Sequence, residues 1–206
     1  MITTSNEEVN NFIEGYSSIT TIYGEAGTGK TTLCLLATIE QALNNKKVIF
    51  LDAEKNFSIE RFEQLLNNRN KDCIKNILIL KIKNFNLQHT QIKKLENIKN
   101  VSLIIIDSIT HYYRRLYKRE PEIAKAMLGK QLSVLNLISK KNIPVIVTSQ
   151  VYSNMENDVL PLAKETLNKY SENIIKLEKN PRKIKLEKPG KKEAYFKIIN
   201  EGIKFT

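Results

Sequence analysis

Apolar residues recur along this chain at two spacings, and the spacings take turns. The runs at 19–23, 47–52, 76–82, 101–107 and 143–148 are short, rich in Ile, Val and Leu, and close to continuous, as strands buried on both faces are. Between them the apolar positions fall three and four apart. The stretch 32–43 reads as a helix. Ser58 can cap a second one, with Glu60 in its first turn and Ile59, Phe62, Leu65 and Leu66 along one face. A charged amphipathic helix is expected over 87–98. Pro121 can open a longer helix, in which Ala124, Leu128, Leu132, Leu135 and Ile138 form one stripe ending at Lys140-Lys141-Asn142. Strands and helices alternating over about 130 residues predict an α/β domain with a mostly parallel central sheet flanked by helices, joined by right-handed crossovers, with ligands at the carboxyl ends of the strands.

After Gln150 the pattern changes. Residues 151–170 read as polar and irregular. Alternating runs then follow at 173–177, 183–186 and 194–199, separated by the turn pairs Asn180-Pro181 and Pro189-Gly190. They predict a C-terminal antiparallel β extension, a meander over about 171–206 that continues one sheet edge. Residues 1–17 are polar with scattered apolar positions such as Val9, Phe12 and Ile13, which suits an arm or a short helix. That leaves 18–206 as one domain.

The stretch Ile22-Tyr23-Gly24-Glu25-Ala26-Gly27-Thr28-Gly29-Lys30-Thr31-Thr32 gives this framework its chemistry. It fits G-x-x-x-x-G-K-[ST] without a mismatch, between a predicted strand and a predicted helix. Gly24, Gly27 and Gly29 let the backbone turn so that its N–H groups converge on an anion, and the helix N-terminus adds positive potential. Lys30 can reach the β- and γ-phosphates of a nucleotide, and Thr31 can offer its hydroxyl to Mg²⁺.

Further candidates lie at strand ends. Asp107 closes the run 101–107, where a carboxylate can hold Mg²⁺ through water. Asp52 closes the run 47–52 and Glu54 follows it, and either could activate a water molecule. Gln150, just past 143–148, could touch a γ-phosphate and respond when it leaves. His89 and His111 have no partner at ligand or triad spacing, so both read as structural or exposed.

The 206 residues, 41% hydrophobic, are enough for a substantial core. Cys34 and Cys73 are far apart and read as reduced, packed residues. No run approaches the length of a membrane span and the start lacks signal-peptide character, so a soluble, cytoplasmic protein with no membrane partner is expected. The formal charge of +11 fits a polyanion partner and a solvated lysine-rich surface equally well. Twelve Lys or Arg face six Glu between residues 164 and 204, and Arg114, Arg115, Lys118 and Arg119 crowd the stretch before Pro121. Tyr112, Tyr113 and Tyr117, interleaved with these cations, could stack on nucleic-acid bases or could belong to a half-buried amphipathic turn.

Four stretches in order resemble one family, the RecA/RadA recombinases, and within it the short archaeal RadB branch. They are the loop 24–32, Phe50-Leu51-Asp52-Ala53-Glu54 with Ser58-Ile59-Glu60-Arg61-Phe62, Leu103-Ile104-Ile105-Ile106-Asp107-Ser108, and Val147-Thr148-Ser149-Gln150-Val151. The resemblance implies a RecA-like P-loop NTPase core using ATP and Mg²⁺. It assigns Glu54 as catalytic base, Gln150 as γ-phosphate sensor and Arg61 to the adenine. It places DNA-binding loops at 112–127 and 152–169.

Two departures qualify what the resemblance implies. Residues 1–18 hold neither an N-terminal helical domain nor a phenylalanine-containing polymerisation motif. The second loop carries Glu156 and Asp158, whose carboxylates repel phosphodiesters, and reads Leu162-Ala163-Lys164 where the family has glycines. The expectation is an accessory DNA-repair protein with weak ATPase activity and no strand exchange alone. Its expected partners are single-stranded or branched DNA, a RadA-type recombinase or a Holliday-junction nuclease, and a second copy of itself. A non-catalytic ATP-gated regulator and a KaiC-like signalling ATPase are the alternatives.

Overall fold

The computed structural model describes residues 3–16, 18–153 and 159–206. Its elements follow in the order α1 (Glu7–Ile13), β1 (Ile19–Gly24), α2 (Lys30–Leu43), β2 (Val48–Asp52), α3 (Ile59–Leu66), β3 (Ile77–Lys81), α4 (Phe85–Lys94), β4 (Leu103–Asp107) and α5 (Tyr113–Tyr117). Then come α6 (Pro121–Ser139), β5 (Val145–Ser149), β6 (Val151–Ser153), β7 (Val159–Pro161), α7 (Lys164–Tyr170), β8 (Asn173–Lys179), β9 (Arg182–Lys188), β10 (Lys192–Ile199) and β11 (Gly202–Phe205).

Nine strands form one mixed sheet in the order β11-β10-β9-β8-β1-β5-β4-β2-β3. Strand alternation divides its core in two. In β4, Leu103 and Ile105 join the cluster under α2 and α3, while Ile104 and Ile106 join the one under α4 and α6. Ile146 of β5 faces the first cluster, and Val145 and Val147 face the second. The predicted stripe of α6 is buried throughout, and Pro121 sits in its first turn. Cys34 and Cys73 are free and buried.

Several expectations need correction. Ser58 does cap α3, accepting from the Arg61 N–H, but Ile59, though on the side of Phe62 and Leu66, lies 58% exposed at the first residue of the helix. The helix expected over 87–98 starts earlier, behind the Asn84 cap, and ends as a 3₁₀ turn at Leu95–Asn97. The described residues of 151–170 are not irregular: β6 and β7 pair antiparallel, and α7 follows. Glu156 and Asp158 lie outside the described residues. Ala163, at the start of α7, has φ +58, so the backbone keeps a left-handed turn there without a glycine, at a cost of about 1 kcal/mol.

The C-terminal strands number four, and the first of them is not antiparallel to the core. β8 pairs parallel with β1, and only β9, β10 and β11 continue antiparallel. α7 explains the direction, because a helix between β5 and β8 lets the chain cross back and re-enter the sheet the same way round. α1 fastens onto the last strand. Asn6 Nδ2 donates to the Ile203 carbonyl at 2.5 Å, the Phe205 N–H donates to Glu8 Oε2 at 2.7 Å, and the rings of Phe12 and Phe205 meet edge to face at 5.5 Å.

Candidate functional site

The β1–α2 turn gets its shape from backbone positions that a side chain would block. An added Cβ on Gly24, at φ +156, would stand 2.3 Å from the Leu177 carbonyl oxygen of β8. Gly29, at φ +107, occupies the N-cap of α2 and supplies no capping side chain, which leaves the first N–H groups of the helix available to an anion. Glu25 and Ala26 are exposed, whereas Thr28 is buried and donates from Oγ1 to the Glu25 carbonyl at 2.9 Å. Lys30 Nζ donates to the carbonyls of Gly24 and Glu25 at 2.8 and 2.9 Å. Burial moves its ammonium below the ordinary lysine value, and the carboxylates of Glu54 and Asp107 oppose that shift.

Asp107 has the same strand parity as Leu103 and Ile105, so its carboxylate faces the start of α2. Only 1% of the residue is exposed, and burial raises its pKa against the stabilising hydroxyls around it. Thr31 Oγ1 donates to Oδ2 at 2.6 Å and Thr148 Oγ1, from β5, donates to Oδ1 at 2.5 Å. Among the described residues no three His, Cys, Asp or Glu side chains gather as a metal-binding group. The hydrogen-bond partners of the Asp107 carboxylate are these two hydroxyls.

Asp52 and Glu54 differ in their hydrogen bonds. Asp52 is buried and spends its oxygens on the N–H groups of Asn56 and Phe57, at 3.0 and 3.4 Å, which shapes the turn after β2. Glu54 is carried to the end of β4 by that turn, since the N–H groups of Ala53 and Glu54 both donate to the Asp107 carbonyl. Its carboxylate borders a cleft of about 240 Å³ together with Lys30, Thr31, Asn56 and the Gly27 and Gly29 backbone. Gln150 Nε2 donates to Glu54 Oε1 at 3.0 Å. The Gln150 carbonyl accepts from the Leu162 N–H at 2.9 Å, which ties this residue to the far side of the β6–β7 ribbon.

Spacing alone missed three contributors. His111 is not partnerless: its Nδ1 lies 3.4 Å from Gln150 Nε2 and 3.8 Å from Glu54 Oε1. Arg182, at the start of β9, donates to the Gly27 carbonyl at 2.9 Å. Ile198 of β10 closes one wall of the cleft, its Cδ1 3.0 Å from where a Gly29 Cβ would stand. Only His111 carried a local signal, four residues beyond the strand-end carboxylate.

The remaining candidates lie outside the cleft. Arg61 donates to the carbonyls of Ile199 and Asn200 at 2.9 and 3.1 Å, holding the β10–β11 turn beside Ile198. Arg114, Arg115, Lys118 and Arg119 are exposed on and just after α5. The tyrosines do not share that exposure. Tyr112 and Tyr113 are 9% and 3% exposed, packed inward as the half-buried turn requires, and only Tyr117 presents a ring to solvent at 39%. Among the described residues no helix is long and apolar enough to cross a membrane.

The mixed sheet flanked by helices and extended by antiparallel strands is a RecA-like fold. A family model described as Rad51 matches residues 1–204. The "DNA repair and recombination protein RadB" of Methanococcus maripaludis (strain C7) is 37% identical over 196 residues, covering 90% of this chain and 91% of its own. The protein of that name from Thermococcus sibiricus is 33% identical over 220 residues, covering 98% and 94%. A solved structure titled "Crystal structure of the RadB recombinase" superposes with a TM-score of 0.82 at 32% identity, covering 98% of each chain. The chain belongs to the Rad51 family, in its archaeal RadB branch.

Proposed function

We propose that this chain binds Mg·ATP in the β1–α2 cleft and DNA on a separate basic surface, and that it assists recombinational repair with slow ATP turnover. The observation that carries the reading is the buried Asp107 carboxylate, met by the Thr31 hydroxyl at 2.6 Å beside a helix end left without a side-chain cap. An acceptor-rich spot next to an anion-ready one suits a hard cation bound to phosphate. Thr31 would hold Mg²⁺ directly and Asp107 through water. When bound, Mg²⁺ supplies positive charge to the oxygens of the transferring phosphoryl group.

The chain's own residues do the rest. The loop from Gly24 to Thr32, including Glu25, Ala26 and Thr28, would wrap the phosphates, with Lys30 leaving its loop carbonyls for them. Glu54 would take a proton from the attacking water, and Gln150 would leave Glu54 for the terminal phosphate, pulling on the ribbon through its carbonyl. Arg61 would lie against the adenine. DNA repair and recombination are what the RadB relatives are named for, and the exposed cations Arg114, Arg115, Lys118 and Arg119 offer a phosphate-binding surface for single-stranded or branched DNA. A RadA-type recombinase or a Holliday-junction nuclease would be its protein partner. Family membership sets the KaiC-like alternative aside.

One observation favours a second reading, a non-catalytic ATP-gated module: Glu54 Oε1 already accepts from Gln150 at 3.0 Å. Steady-state hydrolysis with and without saturating single-stranded DNA, beside binding controls for each, separates the readings. Turnover at least about a hundredfold below a typical enzyme value of about 10 s⁻¹, and little changed by DNA, is expected. Zero turnover with tight ATP binding favours the gated module, and strong DNA stimulation indicates a recombinase-like motor.

DNA affinity measured by anisotropy across salt should fall steeply. Replacing Arg114 and Arg115 by Ala should reduce the log–log slope by about 1.4 on single strands, about 0.7 for each lost phosphate contact. An unchanged slope would remove α5 from the contact surface.

A further inference from the structure

Three polar atoms meet at the mouth of the cleft. Glu54 Oε1, Gln150 Nε2 and His111 Nδ1 stand 3.0, 3.4 and 3.8 Å apart in pairs. The Gln150 amide has two hydrogens, so it can donate to Glu54 and His111 together only when His111 Nδ1 carries no proton. The other Glu54 oxygen is held by Asn56 Nδ2 at 3.1 Å. If the amide leaves, Glu54 Oε1 loses its donor, and the nearest replacement is the His111 ring. The ring needs only a short approach and a proton on Nδ1 to supply it. The loop keeps it within reach, because the Thr110 hydroxyl accepts from the Gln150 N–H at 2.9 Å and the His111 N–H donates to the Ser108 carbonyl. The His111 and Glu54 side chains are 24% and 19% exposed, so solvent substitutes for such a donor incompletely.

We propose that His111 is a positioning residue that exchanges partners with Gln150. Without nucleotide its Nδ1 accepts from the Gln150 amide and parks that amide on Glu54. With nucleotide bound, the amide departs and the His111 Nδ1–H takes over Glu54 Oε1, fixing the carboxylate toward the attacking water. Apart from the exchanged hydrogen bonds, the ring changes tautomer: the Nε2–H bond breaks as its proton passes to solvent, an Nδ1–H bond forms with a proton from solvent, and the net charge of the ring is unchanged. The inference rests on the ATP reading above.

The chain has two histidines, so the His89→Gln protein carries one imidazole, and nitrogen NMR reads its tautomer directly. Comparison with a His111→Asn protein checks the assignment independently. Free protein should show a bare, hydrogen-bonded Nδ1. Gln150→Ala should shift that signal, and saturating Mg·AMP-PNP should place the proton on Nδ1. In kinetics, His111→Ala should lower kcat about tenfold with ATP Kd unchanged within about twofold. His111→Asn, which can place an amide near the Nδ1 position, should recover most of the loss, and His111→Phe should not. An imidazole signal indifferent to Gln150→Ala, or a loss falling on KM with kcat intact, overturns the proposal. Calorimetry of AMP-PNP on the same samples keeps the two questions apart: absent binding defeats the ATP reading, while the nucleotide-free Gln150→Ala comparison still decides the role of His111.

Discussion

Lys30→Ala should weaken ATP binding at least about a hundredfold and bring hydrolysis below detection. The ammonium is the cleft's reachable cation, half-buried, and loses ordinary basicity through burial. Its bonds to the Gly24 and Glu25 carbonyls are replaceable, whereas phosphate oxygens give charge-assisted bonds of about 1.5–3 kcal/mol each. Two such contacts cover a hundredfold change, which is about 2.8 kcal/mol. Because the Glu25 carbonyl it leaves is exposed and the ammonium's own desolvation is relieved with it, the variant should stay folded. Equal ATP affinity in wild type and variant by calorimetry would take Lys30 out of the site.

Glu54→Gln should separate binding from turnover. Removing a positioned general base costs about 10²- to 10⁴-fold in rate. Affinity should hold or improve, since the substitution deletes one of the negative charges acting on Lys30; the single amide oxygen of glutamine keeps an acceptor for only one of the two donors, Asn56 or Gln150, that now sit on opposite Glu54 oxygens. Single-turnover hydrolysis and equilibrium binding on the same protein check both halves. Full activity in the variant would remove the base assignment.

Why some of this was visible in the sequence and some was not follows from how far each contact reaches. The β1–α2 loop is local, so glycines, lysine and threonine at fixed spacing declare it. Asp107 was visible too, because an apolar strand ending in a carboxylate can be read without knowing its neighbours. Asp52 and Glu54 stand two residues apart, and spacing could not divide them. The division rests on which oxygens the Asn56 and Phe57 N–H groups occupy.

Longer-range features were hidden for the same reason. His111 meets Glu54 across 57 positions of sequence, and Arg182 meets Gly27 across 155. Composition was ambiguous at α5, where stacking partners of the arginines and a half-buried turn look alike; Tyr112 and Tyr113 are packed inward and Tyr117 is exposed. The direction of β8 was missed through α7. Once 151–170 is read as irregular, nothing signals a crossover, and alternating residues are equally good in parallel and antiparallel strands. The edge strand β11 is too short, at four residues, for its alternation to stand out.

The most direct measurement is titration calorimetry of ATP into the purified protein, once with Mg²⁺ and once with EDTA. One saturable site that weakens at least about tenfold without Mg²⁺, as expected when Thr31 and Asp107 share the cation, would support the nucleotide cleft. No saturable binding at millimolar ATP with Mg²⁺ present would contradict it.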